Sequence, residues 1–140
     1  MSIIYTAKSQ TTGGRNGHGE TDDGAIKVDL ASPGAPNAKA GSTNPEQLFA
    51  VGYAACFGGA LDFLAKKDKL DVSDAQVGAQ VHLHKTDEGF HLSVEMDVTL
   101  STLAKDEAAK LIHATHQFCP YSKATRGNID VTLKLNGEAI

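Results

Sequence analysis

The residues from Leu48 to Leu64 set the tightest limit on how this chain can fold. The run reads Leu48-Phe-Ala-Val-Gly-Tyr-Ala-Ala-Cys-Phe-Gly-Gly-Ala-Leu-Asp-Phe-Leu64, and Asp62 is its one charge. A helix apolar around its whole circumference needs cover on every side. The run is near the length of a membrane span. Gly52, Gly58, Gly59 and abundant alanine point instead to a buried helix of a soluble protein. Each glycine costs about 1 kcal/mol relative to alanine in a helix interior. Close backbone approach by a neighbouring element is the expected reason for tolerating that cost.

Clear start signals precede the run. Thr43-Asn-Pro-Glu46 fits a capping box, with Thr43 as cap and Glu46 three residues on. Asn44 as cap with Pro45 at the first helical position fits nearly as well. The helix is expected to reach about Lys67. Upstream, Ile3–Lys8 and Ile26–Leu30 are expected as strands, with a glycine-rich loop at Thr11–Gly19 and a longer loop at Ser32–Ser42. Downstream, Val77–His84 and His91–Leu100 alternate as a strand pair, and Thr86-Asp-Glu-Gly89 supplies the turn of a hairpin. A second helix is expected over about Lys105–Phe118, stopped by Pro120, after which a short helix can restart. Ile129, Val131, Leu133 and Leu135 alternate as a last strand. Strands and helices are segregated, which gives an α+β class.

A chain of 140 residues is long enough for one domain with its own core, spanning 1–140. The net charge of −4, with lysine and arginine scattered, argues against a nucleic-acid partner. Met1-Ser-Ile-Ile-Tyr lacks a basic region followed by an apolar stretch, so neither a signal peptide nor a membrane location is expected. Two cysteines make no secreted disulfide scaffold, and a cytoplasmic compartment follows as the expectation.

Cys56 lies inside the apolar run, and Cys119 stands immediately before Pro120. A thiol in apolar surroundings has a raised pKa and is normally inert. Cys56 is therefore either a small core residue or a thiolate activated from elsewhere. Its own helix cannot activate it, because the dipole acts only over the first turn and Cys56 lies about three turns in. Arg15, the one cation of the glycine-rich loop, is the natural candidate, since its fork can bond two partners at once. Glu46 is either a capping carboxylate or a group that holds the Arg15 guanidinium in place. Along one straight helix, Glu46 and Cys56 stand about 15 Å apart. The helix then bends near Gly52, or a shared site takes the two residues from different chains; the second is favoured, through a twofold dimer. Cys119 is either a core residue at a helix end or a thiol that attacks an oxidised Cys56. His113, His116 and Cys119 lie about one turn apart, but no second ligand pair completes a zinc set, so no metal is expected.

Four segments carry a resemblance. They are Thr12-Gly-Gly-Arg-Asn-Gly17, Thr43-Asn-Pro-Glu-Gln-Leu-Phe-Ala50, Gly52-Tyr-Ala-Ala-Cys-Phe57 and Cys119-Pro-Tyr-Ser-Lys-Ala-Thr-Arg-Gly-Asn-Ile-Asp-Val131. In order and spacing the chain resembles the organic hydroperoxide resistance branch of the OsmC-like family, with Ser42 standing where glycine is expected. The resemblance implies an OsmC-like fold of antiparallel sheets around a long buried central helix, in an intertwined homodimer. It implies a thiol peroxidase that needs no cofactor and reduces organic hydroperoxides, including those of fatty acids. Cys56 takes the place of the peroxidatic cysteine, Cys119 of the resolving cysteine, and Arg15 with Glu46 of the activating pair. A dithiol reductant, such as the dihydrolipoyl group of a lipoylated protein, would restore both thiols. Phe49, Tyr53 and Phe57 are candidates to line a pocket for the organic part of the substrate. A non-enzymatic lipid-binding dimer is the rival from another class, with a metal-dependent hydrolase third.

Overall fold

The computed structural model describes residues 1–140 and is mixed α and β. Its contacts divide it into two compact units, Met1–Leu48 and Phe49–Ile140.

The first unit is a small antiparallel sheet of three strands in sequence order: β1 (Ser9–Thr12), β2 (His18–Thr21) and β3 (Lys27–Asp29). Strand pairing starts at Ser9, not at Ile3 as the apolar residues suggested. Ile3, Ile4 and Tyr5 are exposed and face no partner strand, so their β propensity has nothing to pair with. β2 was not foreseen, because Gly17 and Gly19 interrupt its pattern. Gly17 is required by space: a Cβ there would sit 1.7 Å from the Thr12 carbonyl oxygen. The two strands can close on each other only because that side chain is missing.

Helix α1 spans Pro45–Lys67, with its first turn in the first unit. Asn44 is the cap: its Oδ1 accepts from the Gln47 amide at 2.9 Å. Thr43 does not fill that role, and its hydroxyl donates to the Gln47 side chain instead.

The second unit holds a four-stranded sheet in the order β4 (Gln76–Thr86), β5 (Gly89–Thr99), β6 (Asp130–Leu135), β7 (Glu138–Ala139). β4 and β5 form the expected hairpin, closed at Thr86 and Gly89. All pairs are antiparallel except β5 with β6, which run parallel. That parallel pairing needs a crossover, and α2 (Lys105–Phe118) and α3 (Pro120–Thr125) supply it. Tyr53, Phe57, Leu61 and Ala65 recur every four residues along α1 and are almost fully buried. They share one core with Val94, Met96 and Val98 of β5, Leu111 and Ile112 of α2, and Leu133 and Leu135 of β6. Each large side chain so buried contributes about 1.5–3 kcal/mol.

Within the chain α1 is not covered on all sides. Leu48, Val51 and Phe63 are exposed, Val51 to 71%. The glycines also depart from expectation. Gly52 makes room for a side chain, since a Cβ there would lie 3.4 Å from the Tyr121 hydroxyl, whereas Gly59 faces open space.

Candidate active site

The first unit builds a clamped cation. Gly13 takes a left-handed conformation (φ 74°) at the end of β1 and turns the chain into one helical turn, Gly14–Asn16. The Asn16 amide donates back to the Gly13 carbonyl, and the Leu30 amide donates to the Gly17 carbonyl. The turn is thus tied to the sheet on both sides, and Arg15 projects from it. Its guanidinium meets Glu46 in the first turn of α1 through two bonds, Nη1 to Oε2 at 2.9 Å and Nη2 to Oε1 at 2.6 Å. This is the bidentate fork geometry that arginine makes and lysine cannot. The Arg15 hydrogen bonds hold the Glu46 carboxyl below its usual range, and the same contact raises the Arg15 pKa further. Glu46 is 15% exposed and Arg15 45%. Two of the five guanidinium N–H groups are engaged in the fork, which leaves donors for another anion.

The second unit builds a thiol pair. Cys56 lies on the partly exposed flank of α1, and Cys119 is fully buried at the junction of α2 and α3. Both are free thiols, and Cys119 Sγ donates to Cys56 Sγ at 3.6 Å. Pro120 explains the junction. It disfavours helical geometry in the residue before it, and Cys119 is extended (φ −60°, ψ 126°). α2 therefore ends at Phe118, and Pro120 starts α3 at its first position. A disulfide needs sulfurs about 2.05 Å apart, so the pair closes by a shift of roughly 1.5 Å.

Burial is the largest influence on Cys56 and pushes its thiol pKa up. The Tyr121 backbone amide, in the first turn of α3, pulls the other way, and Cys119 adds to the upward shift. The net shift is upward, which disfavours the thiolate, and a neighbouring cation is the kind of group that opposes it.

An aromatic cluster flanks the thiols. Tyr53 and Tyr121 meet edge to face at 5.8 Å between ring centres, and Phe49 lies 5.8 Å from Tyr53 and 6.3 Å from Tyr121. Phe49 is partly exposed, while Tyr53 and Phe57 are fully buried. The Tyr53 hydroxyl contacts Ser122 Oγ at 2.8 Å and Thr125 Oγ1 at 3.2 Å. His116 Nδ1 contacts the same Ser122 oxygen at 2.8 Å. Residue chemistry alone did not single out Tyr121 or Ser122. The available signal was Pro120, which starts a helix and so aims the following backbone N–H groups at whatever precedes them. His113, His116 and Cys119 do not gather, and no group of three potential metal ligands occurs. A cavity of about 550 Å³ lies in the first unit, lined by Asn16, His18, Asp29, Lys39 and Ser42 among others, and it contains none of the predicted site residues.

The family model for OsmC-like proteins matches residues 36–134. The chain is 48% identical over 134 residues to the organic hydroperoxide resistance protein OhrB of Bacillus subtilis, covering 94% of this chain and 98% of that protein. The crystal structure of that OhrB superposes with a TM-score of 0.89 at 47% identity, over 95% of this chain and 99% of the other. A putative organic hydroperoxide resistance protein of Vibrio cholerae, solved with captopril bound in one of its active sites, gives a TM-score of 0.91 at 41% identity. It covers all of this chain and 97% of its own.

Proposed function

The chain belongs to the organic hydroperoxide resistance proteins of the OsmC-like family, and on that premise we propose that it is a cysteine-based peroxidase for organic hydroperoxides. One observation carries the chemistry: two free thiols 3.6 Å apart, one partly exposed and one buried. The Cys56 thiolate attacks the distal oxygen of R–O–OH. The O–O bond breaks, the alkoxide takes a proton and leaves as the alcohol, and Cys56 becomes a sulfenic acid. Cys119 then displaces its hydroxyl, which leaves as water, and a disulfide forms. A dithiol, such as the dihydrolipoyl group of a lipoylated protein, reduces it and is itself oxidised to a cyclic disulfide.

Arg15 has the role of stabilising the thiolate and the charge that develops on the departing oxygen. Glu46 holds the guanidinium in orientation. Ten residues of helix, about 15 Å, separate Glu46 from Cys56, so a homodimer in which each site draws Arg15 and Glu46 from one chain and Cys56 from the other meets the distance. The exposed apolar positions of α1, Leu48, Val51 and Phe63, support a dimer by leaving one face of the helix uncovered. Phe49, which is partly exposed, is assigned to the wall that receives the organic group, while Tyr53 and Phe57, fully buried in the core, back that wall from behind. The thiols require a reducing compartment, the cytoplasm.

The test is a peroxidase assay with dihydrolipoamide as reductant, comparing cumene hydroperoxide, a fatty-acid hydroperoxide and hydrogen peroxide. Both organic substrates are expected to react faster than hydrogen peroxide. Equal rate constants for all three would remove the role of the apolar wall, and no turnover would remove the peroxidase.

A further inference from the structure

A chain of buried hydroxyls lies under the thiol pair, and the proposed chemistry does not use it. Ser122 and Tyr53 are fully buried and Thr125 nearly so. Thr125 Oγ1 donates to the Ser122 carbonyl at 3.1 Å. Its lone pairs then accept from the Tyr53 hydroxyl, and the Tyr53 oxygen accepts from the Ser122 hydroxyl. The Ser122 oxygen in turn accepts from His116 Nδ1–H. Every member is satisfied in this order, and no buried polar side-chain atom is left without a partner. The chain joins α1 through Tyr53, α2 through His116 and α3 through Ser122 and Thr125. Burial, and then the nearby Arg126 and His113 charges, keep His116 below its usual pKa. Protonation of His116 would leave the Nδ1–H donor in place.

α3 is six residues long and cannot hold its own geometry. Its first turn nevertheless carries two groups that bear on the reactive sulfur: Cys119 as its cap, with its sulfur 3.6 Å away, and the Tyr121 amide, which pulls the Cys56 pKa down. We propose that Tyr53, Ser122 and His116 are positioning residues: their hydrogen-bond chain locks α3 onto α1 and α2, so that the first turn of α3 holds the Cys119 sulfur within reach of Cys56 and keeps the Tyr121 amide in its place. Three buried hydroxyls in one small core, with a part-buried imidazole at their edge, are costly unless fully paired, and pairing makes them specify a single arrangement. An apolar side chain at Ser122 would fill the space without fixing α3.

The inference rests on the peroxidase reading for its purpose, but its test does not. Cys56 alkylation by iodoacetamide is followed across pH by mass spectrometry in the wild type, Tyr53→Phe and Ser122→Ala. Closure of the Cys56–Cys119 disulfide by diamide is timed in the same proteins. Both variants are expected to move the midpoint of Cys56 alkylation upward by about one pH unit, the scale of one lost hydrogen bond to a thiolate. Disulfide closure is expected to slow at least severalfold. A purely structural role lowers the melting temperature and leaves both readouts at wild-type values, which overturns the proposal. Tyr53→Phe keeps the ring buried and removes only the hydroxyl, so it decides the question if Ser122→Ala fails to fold. Neither readout needs peroxide, so a protein inactive as a peroxidase can still uphold or refute the positioning role.

Discussion

Arg15 and Glu46 show how much one pair of side chains can settle. The fork orients the guanidinium through two bonds and leaves its other N–H groups directed away from the carboxylate. We expect Arg15→Ala to raise the pH midpoint of Cys56 alkylation and to slow peroxide attack by at least tenfold, a loss of about 1.4 kcal/mol of transition-state stabilisation. Arg15→Lys should recover only part of the rate, because a point charge cannot make the fork. The pair also sets a pH dependence. Glu46 has a depressed pKa in the fold, so the folded state holds fewer protons than the unfolded state in that range. The stability it contributes is complete above the ordinary carboxylate pKa and is lost as pH falls through the depressed value. Melting temperatures of the wild type and Glu46→Gln should therefore differ at pH 7 and converge in acid; a gap that widens in acid contradicts the assignment. Residue types alone made Arg15 and Glu46 candidates, with a capping role for Glu46 left open. What was not legible was the pairing geometry, because it depends on a glycine turn that delivers Arg15 from 31 positions away.

Among the elements, legibility followed how local the determining signals are. α2 was expected over Lys105–Phe118 and has those bounds, because Asp106, Glu107 and Pro120 mark its ends from within or beside it. The β4–β5 hairpin was legible for the same reason: a turn joins two strands that alternate without a break. Ile3–Lys8 had the right residues for a strand, but only the Lys8 carbonyl, which accepts from the Asp22 amide, reaches the sheet. The parallel pairing of β5 with β6 was out of reach, since the two are joined only by the excursion through α2 and α3. The start of α1 was ambiguous by one residue, and the Asn44 side chain decides it. Asn44→Ala is expected to destabilise the protein by about 1 kcal/mol, the usual cost of losing a cap. Chemical denaturation measures it. Thr43→Val should cost less, since the Thr43 hydroxyl reaches only a side chain.

The whole molecule poses the question that one chain leaves physically incomplete: what covers α1. Its buried face is explained by the core of the second unit, and its other face presents Leu48, Val51 and Phe63 to solvent. A twofold dimer would cover that face and bring a second chain to each thiol pair. Val51→Glu is expected to cost an isolated chain little, within about 0.5 kcal/mol at so exposed a position. In a dimer it would bury a charge, so sedimentation should show a dimer for the wild type and dissociation for the variant. A wild-type monomer at micromolar concentration refutes the shared site. The fold class was legible in the chain, and Arg15, Glu46, Cys56 and Cys119 stood out there as candidates by residue type and setting. The hydroxyl network beneath Cys119 was not, because Tyr53 lies 69 positions from Ser122 and no spacing links them. The measurement that bears most directly on the proposed chemistry is a count of free thiols before and after one equivalent of cumene hydroperoxide. Loss of both thiols per chain, with Cys56 and Cys119 joined within one chain on a non-reducing peptide map, is the predicted result. Persistence of both thiols, with the hydroperoxide unconsumed, would contradict it.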